Sequence, residues 1–185
     1  MTVEIFDSST TWTAPTGVTS VTVECWGSGY NGVGGSGGGG GAYASGTVAV
    51  TPGSGYAINV DPGGTGASSY FDSGFDVKAN SATGASGGDG TTSVGSVKYT
   101  GGSGGYTDIA LYGGGGGGGA AGASGAGGAG ANGSGTVGGA GGSGVVIIRY
   151  PASQGFPQST TGSPRTYVTG PYRVYIWTSS GTITF

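Results

Sequence analysis

The stretch GGGGGGGAAGASGAGGAGANGSGTVGGAGGSG, residues 113–144, is the part of this chain that decides its fold class. It holds 19 glycines in 32 residues, and glycine occupies every third position from Gly113 to Gly128. After a slip, the same period continues from Gly135 to Gly144. A period of three fits an extended helix with three residues per turn, the polyproline-II geometry. Collagen shares this period but requires abundant proline, and residues 113–144 contain none.

A second tract, residues 27–41, holds 10 glycines in 15 residues, and together the two tracts predict a bundle of packed polyglycine-II helices. Because glycine has no Cβ, neighbouring backbones can approach closely and satisfy their peptide groups by mutual hydrogen bonds. The alternative interpretation is a flexible linker. Ordering glycine costs conformational entropy, so the bundle needs strands to hold its ends. We expect at least two passes within 113–144, packed against 27–41, and one close-packed row of alanines: Ala120, Ala123, Ala126 and Ala129.

The remaining sequence favours β-strands. Valine and isoleucine total 23 residues, whereas leucine and methionine, which favour helices, occur once each. No window shows a helical period of 3.6 with capping residues. We therefore predict an all-β chain: a β-sandwich-like glycine-rich domain with packed polyglycine-II helices, plus a short C-terminal β-hairpin. Local patterns predict strands at 2–6, 10–13, 20–26, 47–51, 56–60 and 93–99, with 47–51 and 56–60 forming a hairpin. The continuous apolar run Val-Val-Ile-Ile predicts a further strand at 145–150, covered on both faces.

A change in composition near Pro151 predicts two units. Residues 1–150 form the glycine-rich β/polyglycine-II domain, and residues 151–185 form a C-terminal loop and β-hairpin, in which 172–177 pairs with 182–185. Because an isolated two-stranded hairpin is marginal in water, we expect this unit to pair with another element, in a neighbouring subunit.

The C-terminal unit also contains an echo of the N-terminus. Residues 177–184 match residues 6–13 at four of eight positions, although serine and threonine are common enough here for chance to explain the match. If the echo is structural, the C-terminal segment could occupy a sheet edge equivalent to that of the opening strand and so link copies of the chain.

The residues that most enzymes need are scarce. The chain has no histidine, which excludes Ser-His and Cys-His catalysis and removes the commonest transition-metal ligand. The single Cys25 alternates with valines and is predicted to be a small buried hydrophobe. Residues 27–32 match the dinucleotide fingerprint G-x-G-x-x-G, but neither a helix nor an acid about 20 residues on follows them. We predict no enzyme, no cofactor and no transition-metal site; whether Asp72 and Asp76 bind a cation is left open.

Charge and hydropathy exclude two further partner classes. Only 7% of residues are charged and the net charge is −3, with no basic patch, so we expect no nucleic-acid partner. No run approaches 18 apolar residues, so we expect no membrane insertion. The N-terminus has neither a basic region nor an apolar run, so we expect synthesis in a cytoplasm without a secretion signal.

Aromatic residues are the remaining functional signal. Trp12, Trp26, Tyr56 and Tyr150 lie in strand patterns and are predicted to be core residues. Other aromatic and polar side chains lie in or beside glycine-rich loops, a composition typical of adaptable recognition surfaces. An equally weighted alternative is that these aromatic residues cap the glycine bundle. The candidate contact residues are Tyr30, Asn31, Tyr70, Phe71, Asp72, Phe75, Asp76, Tyr106, Asp108 and Tyr112.

Three segments resemble the glycine-rich domain of bacteriophage virion and tail-fibre proteins. They are FDSSTTWTAPTGVTSVTVECWG at 6–27, GGGGAYA at 38–44 and GGSGVVIIRY at 141–150. The resemblance implies an all-β domain on a virion. The glycine tracts also look like those of phage tail-fibre adhesins, whose polyglycine-II layers carry variable host-binding loops, and that family has no catalytic residues to transfer.

The sequence and the resemblance together predict a bacteriophage virion protein, made in the host cytoplasm and located on the particle. We expect an exposed tail-fibre or tip adhesin that contacts the host cell surface. The alternatives are a head decoration or head-fibre protein with a purely structural role and, third, an ice-binding protein. The expected partners are other virion proteins, further copies of the chain with a trimer favoured, and a host surface glycan or outer-membrane protein.

Overall fold

The computed structural model describes residues 2–33, 36–73, 76–105, 118–130, 141–151, 159–169, 172–177 and 182–184. Across these ranges the chain forms strands and no helix, which confirms the predicted all-β class. No helix that could span a bilayer occurs in the part that is described. The strands are β1 (Thr2–Phe6), β2 (Thr10–Thr13), β3 (Ser20–Trp26), β4 (Tyr43–Ala49), β5 (Gly55–Asn59), β6 (Ser68–Phe71), β7 (Val77–Asn80), β8 (Val97–Tyr99), β9 (Val145–Tyr150), β10 (Ser159–Thr160), β11 (Arg165–Thr169), β12 (Tyr172–Trp177) and β13 (Ile183–Thr184).

Two facing sheets form the predicted sandwich. The larger sheet has the order β11-β12-β1-β9-β3-β4-β8 and is antiparallel except where β12 runs parallel to β1. The smaller sheet has the order β2-β5-β6-β7 and is antiparallel throughout. The predicted hairpin of 47–51 with 56–60 is wrong, because β4 pairs with β3 in the larger sheet and β5 pairs with β2 in the smaller one.

The core lies between the two sheets and follows the period-2 alternation of the strands. Val21, Val23 and Cys25 on β3 point inward, as the alternation predicts, and all three are buried. Trp12 lies at the centre, with its ring centroid 6.1 Å from that of Phe71 and 6.0 Å from that of Tyr150. The core therefore combines aromatic rings from both sheets with valines of the larger one.

Six segments of the described chain lie beyond the sandwich, and we call them the glycine bundle. Most of them directly continue a strand: β3, β7 and β8 run out into the bundle, and β4 and β9 begin where a segment returns from it. Strands therefore hold the segment ends, as the entropic cost of ordering glycine requires. The segments are 27–32, 37–42, 81–90, 100–105, 118–130 and 141–144.

Segment 37–42 shows how the bundle is held together. Its N–H groups donate to 81–90 and 100–105, and its carbonyl groups accept from 27–32, 81–90 and 118–130, at 2.9–3.0 Å. A β-strand bonds to at most two neighbours in one plane, whereas this segment bonds to four, as a helix within a bundle would. The contact of 118–130 with 37–42 meets the prediction that the two glycine tracts pack together. The polyglycine-II conformation itself stays a prediction.

One end of the bundle lies away from the sheets, and we call it the tip. Tyr30 donates its N–H to the Gly39 carbonyl at 3.0 Å, so 27–32 pairs with 37–42 and the chain reverses between Val33 and Ser36. A second reversal, between Thr83 and Ser86, reaches the same level of the bundle.

The predicted alanine row is corrected in part. The chain reverses at 122–125, where Gly122 and Gly125 exchange backbone hydrogen bonds, so the three-residue period does not form one uninterrupted edge. The alanines of the row are exposed rather than close-packed. The parts of the tract at 113–117 and 131–140 lie outside the described residues. The exposed alanines are Ala120, Ala123, Ala126 and Ala129.

The C-terminal strands extend the sandwich of their own chain. β12 pairs with β1 of the same chain, so this unit does pair with another element. Its pairing with a neighbouring subunit stays a prediction. The predicted hairpin of 172–177 with 182–185 is also wrong, because β12 pairs with β11 and β13 pairs with β10. The boundary at Pro151 stays a prediction.

The echo between the two ends of the chain has a structural counterpart. In the parallel pairing of β1 with β12, Phe6 lies directly opposite Trp177, which is the alignment that the sequence echo gives. The strands that follow, β2 and β13, also contact each other. Ile183 is buried on β13, as its counterpart Trp12 is on β2. The two ends of the chain therefore follow the same path side by side.

Candidate functional site

The structure separates the candidate contact residues into two groups at opposite ends of the sandwich. Tyr30 and Asn31 lie in the glycine bundle near its tip. Tyr70, Asp72 and Asp76 lie at the hairpin of β6 and β7, whose turn is at the end of β7 away from the bundle. Four further candidates lie outside the described residues: Phe75, Tyr106, Asp108 and Tyr112.

Phe71 is the candidate that the structure contradicts as a contact residue. Its side chain is fully buried, and its ring stacks on Tyr56 with a centroid distance of 5.3 Å. On β6 the inward residues are Ser69 and Phe71, whereas Tyr70 points outward and stays partly exposed. Phe71 is therefore a core residue, and its replacement would damage packing rather than a binding surface.

A backbone hydrogen bond fixes Asp72, directly after β6. Asp72 has a positive φ of 55° and donates its N–H to the Ala57 carbonyl at 2.6 Å. Asp76 is exposed. No three His, Cys, Asp or Glu side chains converge as a metal site among the residues that the structure describes. A cation at Asp72 and Asp76 thus receives no support from their surroundings.

The tip presents small polar groups and one apolar side chain. Asn31 Oδ1 accepts a hydrogen bond from the Gly141 N–H at 2.9 Å, which ties the returning segment 141–144 to the tip. Val33 is 69% exposed. Of the two large hydrophobic residues that are exposed in the described part of the chain, it is the more exposed. The tip therefore offers an apolar side chain on a support of mutually bonded backbones.

A groove of about 520 Å³ lies at the foot of the bundle, where the outer face of the larger sheet meets the glycine segments. We call it the basal groove. One wall carries the side chains of Trp26, Val145 and Ile147, and the other consists of glycine backbone with Ala120 and Ser143. Trp26 was predicted to be a core residue, but it is only half-buried and lines this groove.

Polar and aromatic neighbours fix the position of Trp26. The ring of Tyr43 contacts it edge-on at a centroid distance of 4.9 Å, and the Tyr43 hydroxyl donates to Glu24 Oε1 at 2.9 Å. Glu24 is also ion-paired with Arg149. Burial raises the pKa of Tyr43 above its ordinary value, and the Glu24 carboxylate adds to the shift. The charges of Glu24 and Arg149 thus neutralise each other.

A buried carboxylate joins the bundle to the smaller sheet. Asp61 accepts hydrogen bonds from the hydroxyl groups of Ser28 and Thr65, and its carbonyl accepts from the Gly144 N–H at 2.8 Å. Burial opposes the ionisation of Asp61, but hydrogen bonds from Ser28, Thr65 and Ser81 outweigh it and hold its pKa below the ordinary value. Asp61 therefore stays charged, and it connects the segment that follows β3 with the segment that precedes β9.

Another buried acid, Glu4, lies in the core and has no counterpart in the sequence-based predictions. Glu4 Oε1 accepts from Tyr150 Oη at 2.6 Å and from Trp12 Nε1 at 3.0 Å. Oε2 has no hydrogen-bond partner in the described part of the chain. Burial raises the pKa of Glu4 to about 7, against the lowering effect of the two hydrogen bonds. Because Glu4 shares a strand face with the buried Phe6, alternation along β1 could have identified it.

Neither the family models nor the curated proteins nor the solved structures that were searched contain a match to this chain.

Proposed function

We propose that this chain is a bacteriophage virion protein, exposed on a tail fibre or tip, that contacts the host cell surface through the tip of its glycine bundle. The observation that carries the proposal is the backbone hydrogen bonding of the bundle, in which one segment bonds to four others. Such a support does not rely on side-chain packing, so residues at its reversals can vary without disturbing a core. Variable loops on a rigid scaffold are a common arrangement for recognition.

The proposal assigns direct contact to the tip rather than to the β6–β7 hairpin. The two lie at opposite ends of the sandwich, so a single contact with a surface can use only one of them. Tyr30, Asn31 and Val33 belong to the tip, which faces away from the sheets. The sheets then remain for attachment to other virion proteins and to further copies of the chain, with a trimer favoured. The protein has no catalytic role in this proposal.

Particles that carry Val33→Asp are expected to adsorb to host cells about tenfold less than wild type, because a charge replaces an exposed apolar contact. The measurement is the fraction of unadsorbed particles over time. The matched control is Val97→Asp. Among the residues whose exposure is described, Val97 is the other exposed valine, 41% exposed, and it lies on the edge strand β8 away from the tip. Both variants should fold and assemble, because neither side chain is part of the core.

Normal adsorption of the Val33→Asp particles would contradict the proposal. If an antibody against the chain then labelled the head lattice in micrographs, the head decoration or head-fibre alternative would replace it. Thermal hysteresis in a solution of the purified chain would favour the ice-binding alternative.

A further inference from the structure

The basal groove has two chemically different walls. Trp26, Val145 and Ile147 supply an apolar face, and the glycine segments opposite supply peptide groups with Ser143 at the edge. Many of these peptide groups already bond within the bundle, as the Gly29 N–H does to the Gly142 carbonyl, so the polar group that the wall offers a ligand is mainly the Ser143 side chain. A fully polar ligand would leave the apolar wall unused. The groove therefore fits a ligand that is apolar on one face and hydrogen-bonding at its edges.

The groove also lacks charge. None of the described residues that line it is ionisable, and the nearby Glu24 and Arg149 are paired with each other. An anionic or cationic ligand would lose hydration there without gaining a counter-ion. Its volume of about 520 Å³ lies within the range of about 300–1,000 Å³ that is typical of small-ligand sites.

We propose that the basal groove is a binding site for a neutral oligosaccharide, with a sugar ring against Trp26 and its hydroxyl groups toward Ser143 at the edge of the glycine wall. The electron-rich face of an indole ring attracts the C–H groups on the apolar face of a pyranose. This inference rests on the proposed function, for which it names a ligand class, but it places the ligand at the foot of the bundle and not at the tip.

The test uses the purified 185-residue chain on an array of trisaccharides. The neutral probes are maltotriose, cellotriose, chitotriose and mannotriose, and the anionic probes are sialyllactose and trigalacturonic acid. Nile red, a neutral apolar dye, is titrated in solution as the probe for a purely apolar site. We expect binding to at least one neutral trisaccharide and none to the anionic probes or to the dye.

Two variants locate the binding in the groove. Trp26→Ala should weaken it by about tenfold or more, because it removes the aromatic wall. Gly142→Leu should also weaken it, since Gly142 lines the groove and a Cβ added there meets no atom within 4 Å, so the side chain can enter without a backbone clash. The matched control is Gly128→Leu, at a glycine of the bundle that is equally open but does not line the groove. It should bind like wild type.

Each other outcome overturns the inference. The neutral saccharide is refuted if the chain binds only the anionic probes, if it binds only the dye, or if it binds no probe. Saccharide binding that survives Gly142→Leu refutes the location. The adsorption assay tests the proposed adhesin function separately from the saccharide site. If the array result is as expected but Val33→Asp and Gly142→Leu particles both adsorb normally, the adhesin function is refuted and the saccharide site is supported. If no neutral trisaccharide binds but Val33→Asp particles adsorb poorly, the saccharide site is refuted and the adhesin function is supported.

Discussion

Gly38→Ala is expected to lower the melting temperature of the protein by about 6 °C or more and to loosen the glycine bundle. A Cβ built at Gly38 would overlap the backbone carbonyl group of Tyr30, which belongs to the neighbouring segment and cannot rotate away as a side chain could. Overpacking of this kind costs about 3 kcal/mol, and about 2–4 °C of melting temperature accompanies each kcal/mol in a chain of this size. Thermal unfolding followed by circular dichroism measures the change.

The matched control for this prediction is Gly128→Ala. Gly128 lies in the same bundle, but a Cβ added there meets no atom within 4 Å. Alanine should therefore be neutral or stabilise the protein by about 0.5 kcal/mol, because it restricts the unfolded chain more than glycine does. If Gly38→Ala and Gly128→Ala melt at the same temperature, close backbone packing does not hold the bundle together.

Local patterning predicted several strands with their bounds. The bounds 2–6, 10–13, 20–26 and 145–150 agree with β1, β2, β3 and β9. β-Branched residues favour strands in each case, as alternation on β3 and as a continuous run on β9. The pairing of 47–51 with 56–60 could not be predicted in this way. Both runs place apolar residues in the core, but from opposite sheets, and that choice depends on the distant partners β3 and β2.

The candidate site was harder to predict than the fold, because it depends on which strand faces are covered. Alternation on β3 places Trp26 on the face opposite Val21, Val23 and Cys25, yet its sequence does not reveal that a groove adjoins that face. Phe71 has glycine-rich neighbours that favour a loop, but its alternation with Ser69 places it in the core. The separation of the tip from the β6–β7 hairpin follows from strand order, which single segments do not encode.

The buried acid in β1 makes the stability of the protein depend on pH in a window where few other groups titrate. The pKa of Glu4 is about 7 in the folded chain and 4.5 as its ordinary value, so the folded state binds a proton that the unfolded state releases. This stabilisation is complete below about pH 4.5 and is lost as the pH rises through 7. The difference of 2.5 pKa units corresponds to about 3 kcal/mol.

The other side chains with shifted pKa values leave this window clear. The chain has no histidine. Asp61 and Asp89 have pKa values below their ordinary value of 3.8, so their contributions change only at lower pH. Burial raises the pKa values of Cys25 and Tyr150 well above the window. A loss of stability between pH 5 and 8 can thus be assigned to Glu4 by replacing that residue alone.

Glu4→Gln is expected to flatten the dependence of the unfolding free energy on pH. At pH 8 it should also make the protein about 3 kcal/mol more stable than wild type, reduced by the cost of burying an amide group without a hydrogen-bond partner. The glutamine Oε1 can still accept from Tyr150 and Trp12, while no charge remains to be buried. Urea unfolding at pH 5, 6, 7 and 8 measures both quantities. The control, Glu24→Gln, removes the ion pair with Arg149 on the outer sheet face and should lower stability without flattening the profile. A wild-type profile that is already flat from pH 5 to 8, or one that keeps its slope in Glu4→Gln, would show that Glu4 does not become protonated in the core.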